Sequence, residues 1–404
     1  MTYRLVRLSL LGLLCVPVFM NCSGPKAISH SKDKALLDQI ETNFKDAAAQ
    51  YKVLAANVPQ GKFPKTYFPT TAKYEFSNSS WWCSGFYPGS LLYLYEQTKD
   101  PSLYAEAERI LVDLEKEKNN TGTHDLGFMM FCSFGNANRI APKPSYNNIL
   151  LTSAKSLATR FDPVVGCIRS WNSKAGEYLV IIDNMMNLEL LFWATRLSGD
   201  SSFYKIAVTH ANTTMTNHFR PDYSSYHVIN YDQKTGGVQQ KRTAQGAADE
   251  SAWARGQVWG LYGYIVTYRE TRDKRYLDQA NNIARFLLNH PNLPSDKIPY
   301  WDFNAPGIPS ALRDASAGSI MASALLELSG YQEPAEAKTS LKVAETIIRN
   351  LSSTTYKAAP GTNGGFIIQH GVGHLPNKSE VDVPLSYGDY YFIEAMVRYK
   401  ALHR

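Results

Sequence analysis

Two acidic side chains stand where chemistry could be done. Asp125 and Asp183 each sit directly ahead of an apolar helical run. Alone, either could be a helix N-cap worth about 1 kcal/mol. Meeting at one pocket, paired carboxylates are the equipment for general acid and base work on a sugar. Burial or mutual repulsion would then keep one of them protonated near neutral pH. The densest polar cluster lies further on. The stretch Gln245-Gly-Ala-Ala-Asp-Glu-Ser-Ala-Trp-Ala-Arg-Gly-Gln-Val-Trp259-Gly-Leu-Tyr-Gly263 sets an amide, two carboxylates, two indoles and a guanidinium just ahead of an apolar helical run. Flat aromatic faces and planar forked donors suit a ring-shaped anionic ligand. His227, in a strand-like loop before this cluster, reads either as a contact for the same ligand or as a solvated or structural histidine.

Other chemistries find no support in the spacing. His370 and His374 are four apart, but their segment carries Gly and Pro and no helical pattern, so no metal site is expected. Gly85-Phe-Tyr-Pro-Gly89 has the wrong spacing for a phosphate loop, and no Gly-x-Ser-x-Gly elbow is present. The pattern asks for no cofactor.

The elements that must position these residues repeat. Gly89–Ala107, Asn187–Ala207, Trp259–Ala280 and Ser316–Glu345 each read as an apolar helix, a short turn rich in Gly, Asp or Pro, and an amphipathic Ala-rich helix. Leu126–Gly135 with Tyr146–Arg160 is a weaker copy. An unpaired helix at Lys32–Leu54 and another at Ser386–Lys400 complete about twelve. Six buried inner helices and six outer ones predict an all-α fold, a closed (α/α)6 barrel with long loops at one face, rather than an open superhelix of helix pairs. Short hairpin turns make every inner helix run the same way, so their N-termini gather at one end and add partial positive charge there. Each inner helix is introduced by a polar and aromatic cluster, and the long insertions fall at the same end. Asp232-Gln-Lys-Thr-Gly-Gly237 predicts a hairpin turn within one of them.

Composition sets the outer bounds. The 404 residues are 44% hydrophobic and 19% charged, which suits one large closed architecture. The net charge of +6 becomes +4 without Arg4 and Arg7, a mild preference for acidic ligands. No basic run with interleaved aromatics points to nucleic acid. Residues 1–22 read as an export signal: Arg4 and Arg7 start it, and Leu8 to Met20 form an apolar centre too short to span a membrane. Cys22, followed by Ser23 and Gly24, resembles a bacterial lipoprotein acylation site. The expected organisation is a signal over 1–22, a linker over 23–32 and one catalytic barrel over 33–404. The expected location is the periplasm or an outer-membrane anchor, with lipid as the only membrane contact. Cys83, Cys132 and Cys167 are too sparse for a disulfide framework.

The clusters taken together resemble the unsaturated glucuronyl hydrolases, glycoside hydrolase family 88, from about residue 35 onward. The matching strings are Trp82-Cys-Ser-Gly-Phe-Tyr-Pro-Gly89, His124-Asp-Leu-Gly-Phe128, Asp183-Asn-Met-Met-Asn187, Gln245-Gly with Asp249 to Trp259, Arg313-Asp-Ala-Ser-Ala317 and Tyr387-Gly-Asp-Tyr-Tyr391. The resemblance implies an α/α six-barrel. It also implies hydration of the C4=C5 double bond that polysaccharide lyases leave on a terminal uronic acid of an oligosaccharide. By this resemblance Asp183 is the acid/base and Asp125 orients the sugar and supports the charge state of Asp183. Trp82, His227, Gln245, Trp253, Arg255 and Trp259 fall at substrate-contacting positions. A carboxylate clamp is a reasonable role for Arg255. Many members carry His just before the Gln-Gly pair, where this chain has Ala244. Related expectations are a rhamnogalacturonyl hydrolase of the same barrel, an inverting glycosidase, or a non-catalytic glycan-binding lipoprotein; the aspartate pair favours the enzymes.

Overall fold

Asp33 opens the first helix by accepting a hydrogen bond from the Leu36 amide, and from there helices alternate between two concentric rings. The computed structural model describes residues 33–403; the signal, the linker and Cys22 lie outside the described residues. The helices are α1 (Lys34–Ala55), α2 (Phe86–Thr98), α3 (Pro101–Leu114), a π-helical segment (Gly127–Gly135) running into α4 (Asn136–Ile140), α5 (Pro144–Ala158), α6 (Leu188–Ser198), α7 (Ser201–Asn217), α8 (Ala254–Thr271), α9 (Lys274–Asn289), α10 (Ala315–Ser329), α11 (Pro334–Leu351) and α12 (Ser386–Leu402). The inner ring closes on itself. Helix α2 packs on the π-helical segment, that segment on α6, α6 on α8, α8 on α10, α10 on α12, and α12 on α2. Helices α3, α5, α7, α9 and α11 back these in turn, and α1 seals the seam against α2 and α12. This is the predicted six-over-six barrel.

Sequence pattern explains the two rings. In α10 every residue but Glu327 is buried, and its small Ala, Ser and Gly side chains let α8 and α12 approach from both sides. Helix α9 buries Tyr276, Ala280, Ile283, Ala284 and Leu287, a stripe at helical spacing, and leaves its other face to solvent. The turns between rings repeat one device. Lys99, Gly199 and Arg272 take left-handed φ values of 61°, 75° and 58°. The next residue each time is an aspartate, Asp100, Asp200 or Asp273, whose carboxylate accepts from the backbone amide two residues on. Each such cap is worth about 1 kcal/mol, which offsets the cost of the left-handed Lys and Arg.

The expected α-helix at 126–135 is instead π-helical, with one extra residue in the turn. Gly127 sits against Asn187, where a Cβ would lie 2.5 Å from the Asn187 Cα. The wider turn begins two residues after Asp125, and such turns concentrate at functional sites.

Insertions at the N-terminal mouth of the inner ring carry all the strands among the described residues. These are β1 (Phe63–Phe68), β2 (Lys73–Ser77), β3 (Phe161–Asp162), β4 (Cys167–Ile168), β5 (Tyr178–Ile181), β6 (Val228–Tyr231), β7 (Val238–Arg242), β8 (Gly371–His374) and β9 (Ser379–Val383). Strands β5, β6 and β7 form one antiparallel sheet. The predicted hairpin joins β6 to β7: the Asp232 carboxylate accepts from the Lys234 and Thr235 amides and folds the turn. Register pairs Ile181 with Val228, and the Ile182 amide donates to the His227 carbonyl at 3.0 Å.

Candidate active site

Sheet register does the first positioning. Strand β5 ends at Ile181 and runs into a 3-10 turn (Ile182–Asn187) that carries Asp183, and β6 begins just after His227, so the pairing sets these side chains together. His227 Nε2 lies 3.7 Å from Asp183 Oδ2. The Nδ1 of His227 accepts from the backbone amides of Ala244 and Gln245 at 3.1 and 3.2 Å, which assigns the ring proton to Nε2. His124 has the opposite tautomer: its Nδ1 meets the Ser170 carbonyl at 2.8 Å and must carry the proton. Its bare Nε2 then faces Asp125 Oδ1 at 3.2 Å, an arrangement that favours the protonated form of that carboxyl. Burial pushes His124 down to about 3 and His227 well below its ordinary value, so both rings are neutral.

Neither aspartate caps a helix. Asp125 Oδ2 accepts from the Thr123 hydroxyl at 3.1 Å, and Asp183 makes no capping bond at all. Both are buried, at 9% and 8% exposure. Desolvation pushes each pKa up to about 7. For Asp183 the Arg255 charge opposes that rise and the Asp125 charge adds to it. For Asp125 the Thr123 hydroxyl, Arg160 and Asn187 oppose it. Asn187 links the two: its amide donates to the Asp183 carbonyl at 3.5 Å and its oxygen accepts from the Phe128 amide at 3.0 Å. Two coupled carboxyls titrating near neutrality can give and take a proton at working pH.

Asp125 opens onto a cavity of about 420 Å³, walled by Trp82, Trp171, Gln245, Arg255 and Tyr387 together with the β8–β9 hairpin. The indole of Trp82 rests on Tyr387, Phe128 and Phe86. Ala244 also lines this wall. Three of the expected contact residues are also held by other side chains. Arg255 is braced within the protein: Nη1 donates to Asp314 at 3.1 Å and to the Val372 carbonyl, and Nη2 donates to Gln245 Oε1 and the Gly373 carbonyl, both at 2.7 Å, while Nε makes no hydrogen bond. A guanidinium at 2% exposure needs that neutralisation, and Arg255 also fixes the Gln245 amide. Trp259 has no open face; it packs under the site on Phe128 and Tyr391. Trp253 is held between His227, at 4.4 Å, and the Arg255 guanidinium, at 4.6 Å, and braces both.

Six of the eighteen buried side-chain polar atoms that make no hydrogen bond among the described residues lie at this mouth: Asp183 Oδ2, His124 Nε2, His227 Nε2, Arg255 Nε, Trp259 Nε1 and the Tyr387 hydroxyl. Such atoms are uncommon in folded proteins and mark places where a polar ligand completes the bonding. Sequence reasoning assigned no role to Trp171, Asp314 or Glu380. A lone Trp between Ser170 and Asn172 in a polar insertion was the one available signal for Trp171; Asp314 was visible only as part of a matching string.

A closed α/α barrel with two near-neutral carboxyls beside an aromatic-walled cavity is the frame of a glycosidase. Comparison with known proteins narrows this. No protein-family model matches the chain. An unsaturated glucuronyl hydrolase of Formosa agariphila is 48% identical over 320 residues, covering 78% of this chain and 79% of that one. An unsaturated chondroitin disaccharide hydrolase of Streptococcus pneumoniae is 31% identical over 343 residues, covering 82% and 86%. Among solved structures, an unsaturated glucuronyl hydrolase specific for heparin superposes with a TM-score of 0.88 at 45% identity, over 91% of this chain and 98% of that one. The chain belongs to the unsaturated glucuronyl hydrolase family.

Proposed function

We propose that this protein releases the 4,5-unsaturated uronic acid from the non-reducing end of lyase-generated glycosaminoglycan oligosaccharides by hydrating its vinyl ether. The observation that carries the reading is the pair Asp125 and Asp183, both raised to about 7 by burial at one site. The relatives named for unsaturated glucuronyl and chondroitin disaccharide substrates support it.

Protonated Asp183 gives its proton to C4, and positive charge develops over C5 and the ring oxygen. The resulting Asp183 carboxylate takes a proton from water as the water oxygen bonds to C5. That step leaves Asp183 protonated again. The hemiketal then opens at its bond to the ring oxygen, giving a C5 ketone and a C1 hemiacetal. The hemiacetal collapses to an aldehyde, its hydroxyl proton passing to the oxygen of the neighbouring sugar as that sugar departs. Asp125 hydrogen-bonds sugar hydroxyls and, when ionised, holds the Asp183 proton in place. His227 Nε2–H faces Asp183 and stabilises its carboxylate stage. Trp82 and Trp171 offer flat faces to the sugars.

The test follows double-bond absorbance on unsaturated disaccharides from chondroitin, hyaluronan, heparin and pectin. Loss of absorbance on a glycosaminoglycan product, abolished in Asp183→Asn, is expected. Turnover of the pectin product alone, or wild-type rate in Asp183→Asn, overturns the reading. The export signal and Cys22 lead us further to propose a lipid-anchored protein facing the periplasm or cell exterior, testable by mass spectrometry of the mature N-terminus.

A further inference from the structure

The short β3–β4 hairpin builds a polar cavity of about 370 Å³ that shares no lining residue with the catalytic one. Its strands pair Phe161 with Ile168 and Asp162 with Cys167. One step beyond that ladder the Arg169 amide donates to the Arg160 carbonyl at 2.9 Å. Arg160 Nε donates back to the Arg169 carbonyl at 2.8 Å. Two arginines therefore face each other across the hairpin, and both line the cavity. Like charges placed directly opposite one another weaken a strand pairing, so this arrangement needs a physical reason.

The protein neutralises neither of them. Arg160 is buried, and its remaining bonds go to the Thr121 carbonyl at 2.7 Å and to the Ser170 carbonyl and Asn172 Oδ1, both at 3.2 Å. All are neutral acceptors. The Arg169 guanidinium lies 4.5 Å over the Tyr178 ring, and its buried Nε makes no hydrogen bond. Among the described residues, no ion pair joins either guanidinium to a carboxylate. Arg255 and Arg398, by contrast, each meet one. Asp162 is the single carboxylate on the cavity wall. Its Oδ1 accepts from the Val164 and Val165 amides at 2.8 and 3.3 Å, and its Oδ2 accepts from Gln233 at 3.3 Å. Two cations stand against one committed anion, and a buried charge without its counter-charge is costly.

We propose that this cavity is a binding site for a tetrahedral oxyanion of the sulfate or phosphate class, held between Arg160 and Arg169. The guanidiniums supply planar, forked donors and the missing counter-charge. The amides of Asn172 and Gln233 line the same space and add neutral donors. A free inorganic ion and a sulfate ester carried on a saccharide present the same oxygens to the site. The inference does not depend on the hydrolase reading.

The experiment is calorimetric titration of the purified protein with sodium sulfate, and separately with glucose 6-sulfate, at ionic strength held constant with sodium chloride. Wild type is expected to show saturable binding of at least one of them. Arg169→Gln should weaken that binding about tenfold or more. Gln233→Glu sets a new carboxylate on an exposed wall position and should weaken it as much, which decides the matter if Arg169→Gln does not fold. Sulfate binding without ester binding supports the proposal and identifies a free-ion site. Ester binding at least as tight as that of sulfate supports it and identifies a saccharide-borne group. Absence of saturable binding of both probes overturns the proposal, as does binding that neither substitution changes, since such binding lies elsewhere on the protein.

Discussion

The two ends of this barrel handle buried charge in opposite ways. At the far end, toward the C-termini of the inner helices, a second cavity of about 370 Å³ is lined by Tyr93, Tyr262, Glu189, Glu394 and Arg398. Charge there is paired. Arg398 meets Glu327 at 2.9 Å and Glu394 at 3.8 Å, and Arg269 bridges Glu189, Glu270 and Glu327. Glu394 accepts from the hydroxyls of Ser323, Tyr262 and Tyr93. At the N-terminal mouth, Asp183 Oδ2 and the Nε2 atoms of His124 and His227 lack protein hydrogen bonds, although they lie within 4 Å of a counter-group. Both ends are polar and both hold a cavity. The far cavity leaves the neutral Asn138 Oδ1 without a hydrogen bond. What marks the reactive end is leftover bonding capacity on titratable groups, because a group already saturated by the protein has nothing to offer a ligand.

That contrast can be broken experimentally, starting with the largest effect. Asp183→Asn should lower turnover of an unsaturated disaccharide at least about 1,000-fold, within the range of general acid–base catalysis and equivalent to about 4 kcal/mol. Circular dichroism should show the wild-type fold. Second, Arg398→Met at the far end should cost about 3 kcal/mol of stability in a urea titration, because it leaves Glu394 with hydroxyl donors alone and Glu327 with Arg269 alone. Turnover per folded molecule should stay within twofold of wild type; a tenfold loss would mean that the ends are coupled. Third, Asp389 sharpens the comparison. Burial also pushes it to about 7, yet it accepts from the Ile367 and Ile368 amides at 3.0 and 2.8 Å and from the Tyr51 hydroxyl at 3.3 Å. Asp389→Asn removes acceptors from committed donors and should destabilise by about 2 kcal/mol.

The smallest effect concerns pH. Asp183 keeps its proton up to about 7 when folded but would lose it near 4 when unfolded. Between those values the folded state binds more protons, so its contribution to stability falls as pH rises and levels off above 7. Asp183→Asn lacks that loss. It should match wild type near pH 4 and be the more stable of the two at pH 8, read from urea midpoints. A variant less stable than wild type at pH 8 would show that the carboxylate is paired after all. Activity that needs protonated Asp183 should decline as pH rises through about 7.

The barrel was legible because its signals are periodic. Repeated apolar helices, Asp-bearing turns and one amphipathic stripe per outer helix predict the rings, and Asp125 and Asp183 stand out by position. What stayed hidden depends on contacts distant in the chain. Nothing in the Gln245–Gly263 string reveals that Arg255 is consumed by Asp314 and by carbonyls of Val372 and Gly373. Trp253 and Trp259 read alike in sequence, yet helical phase from Ala254 turns Trp259 into the core. The π-helical turn after Asp125 follows from close packing on Asn187, 60 residues on from Gly127, which no local propensity encodes.

The antiparallel pairing of β5 with β6 has an evolutionary consequence. Asp183 and His227 come from different helical units, yet the register of β5 on β6 sets the residue before Asp183 against the His227 carbonyl. Helices α6 and α7 lie between them in the chain. A one-residue insertion within either strand would turn its side chains to the opposite face and break that register. Divergence among relatives should therefore crowd into the connections and spare the phase of eight short strand positions.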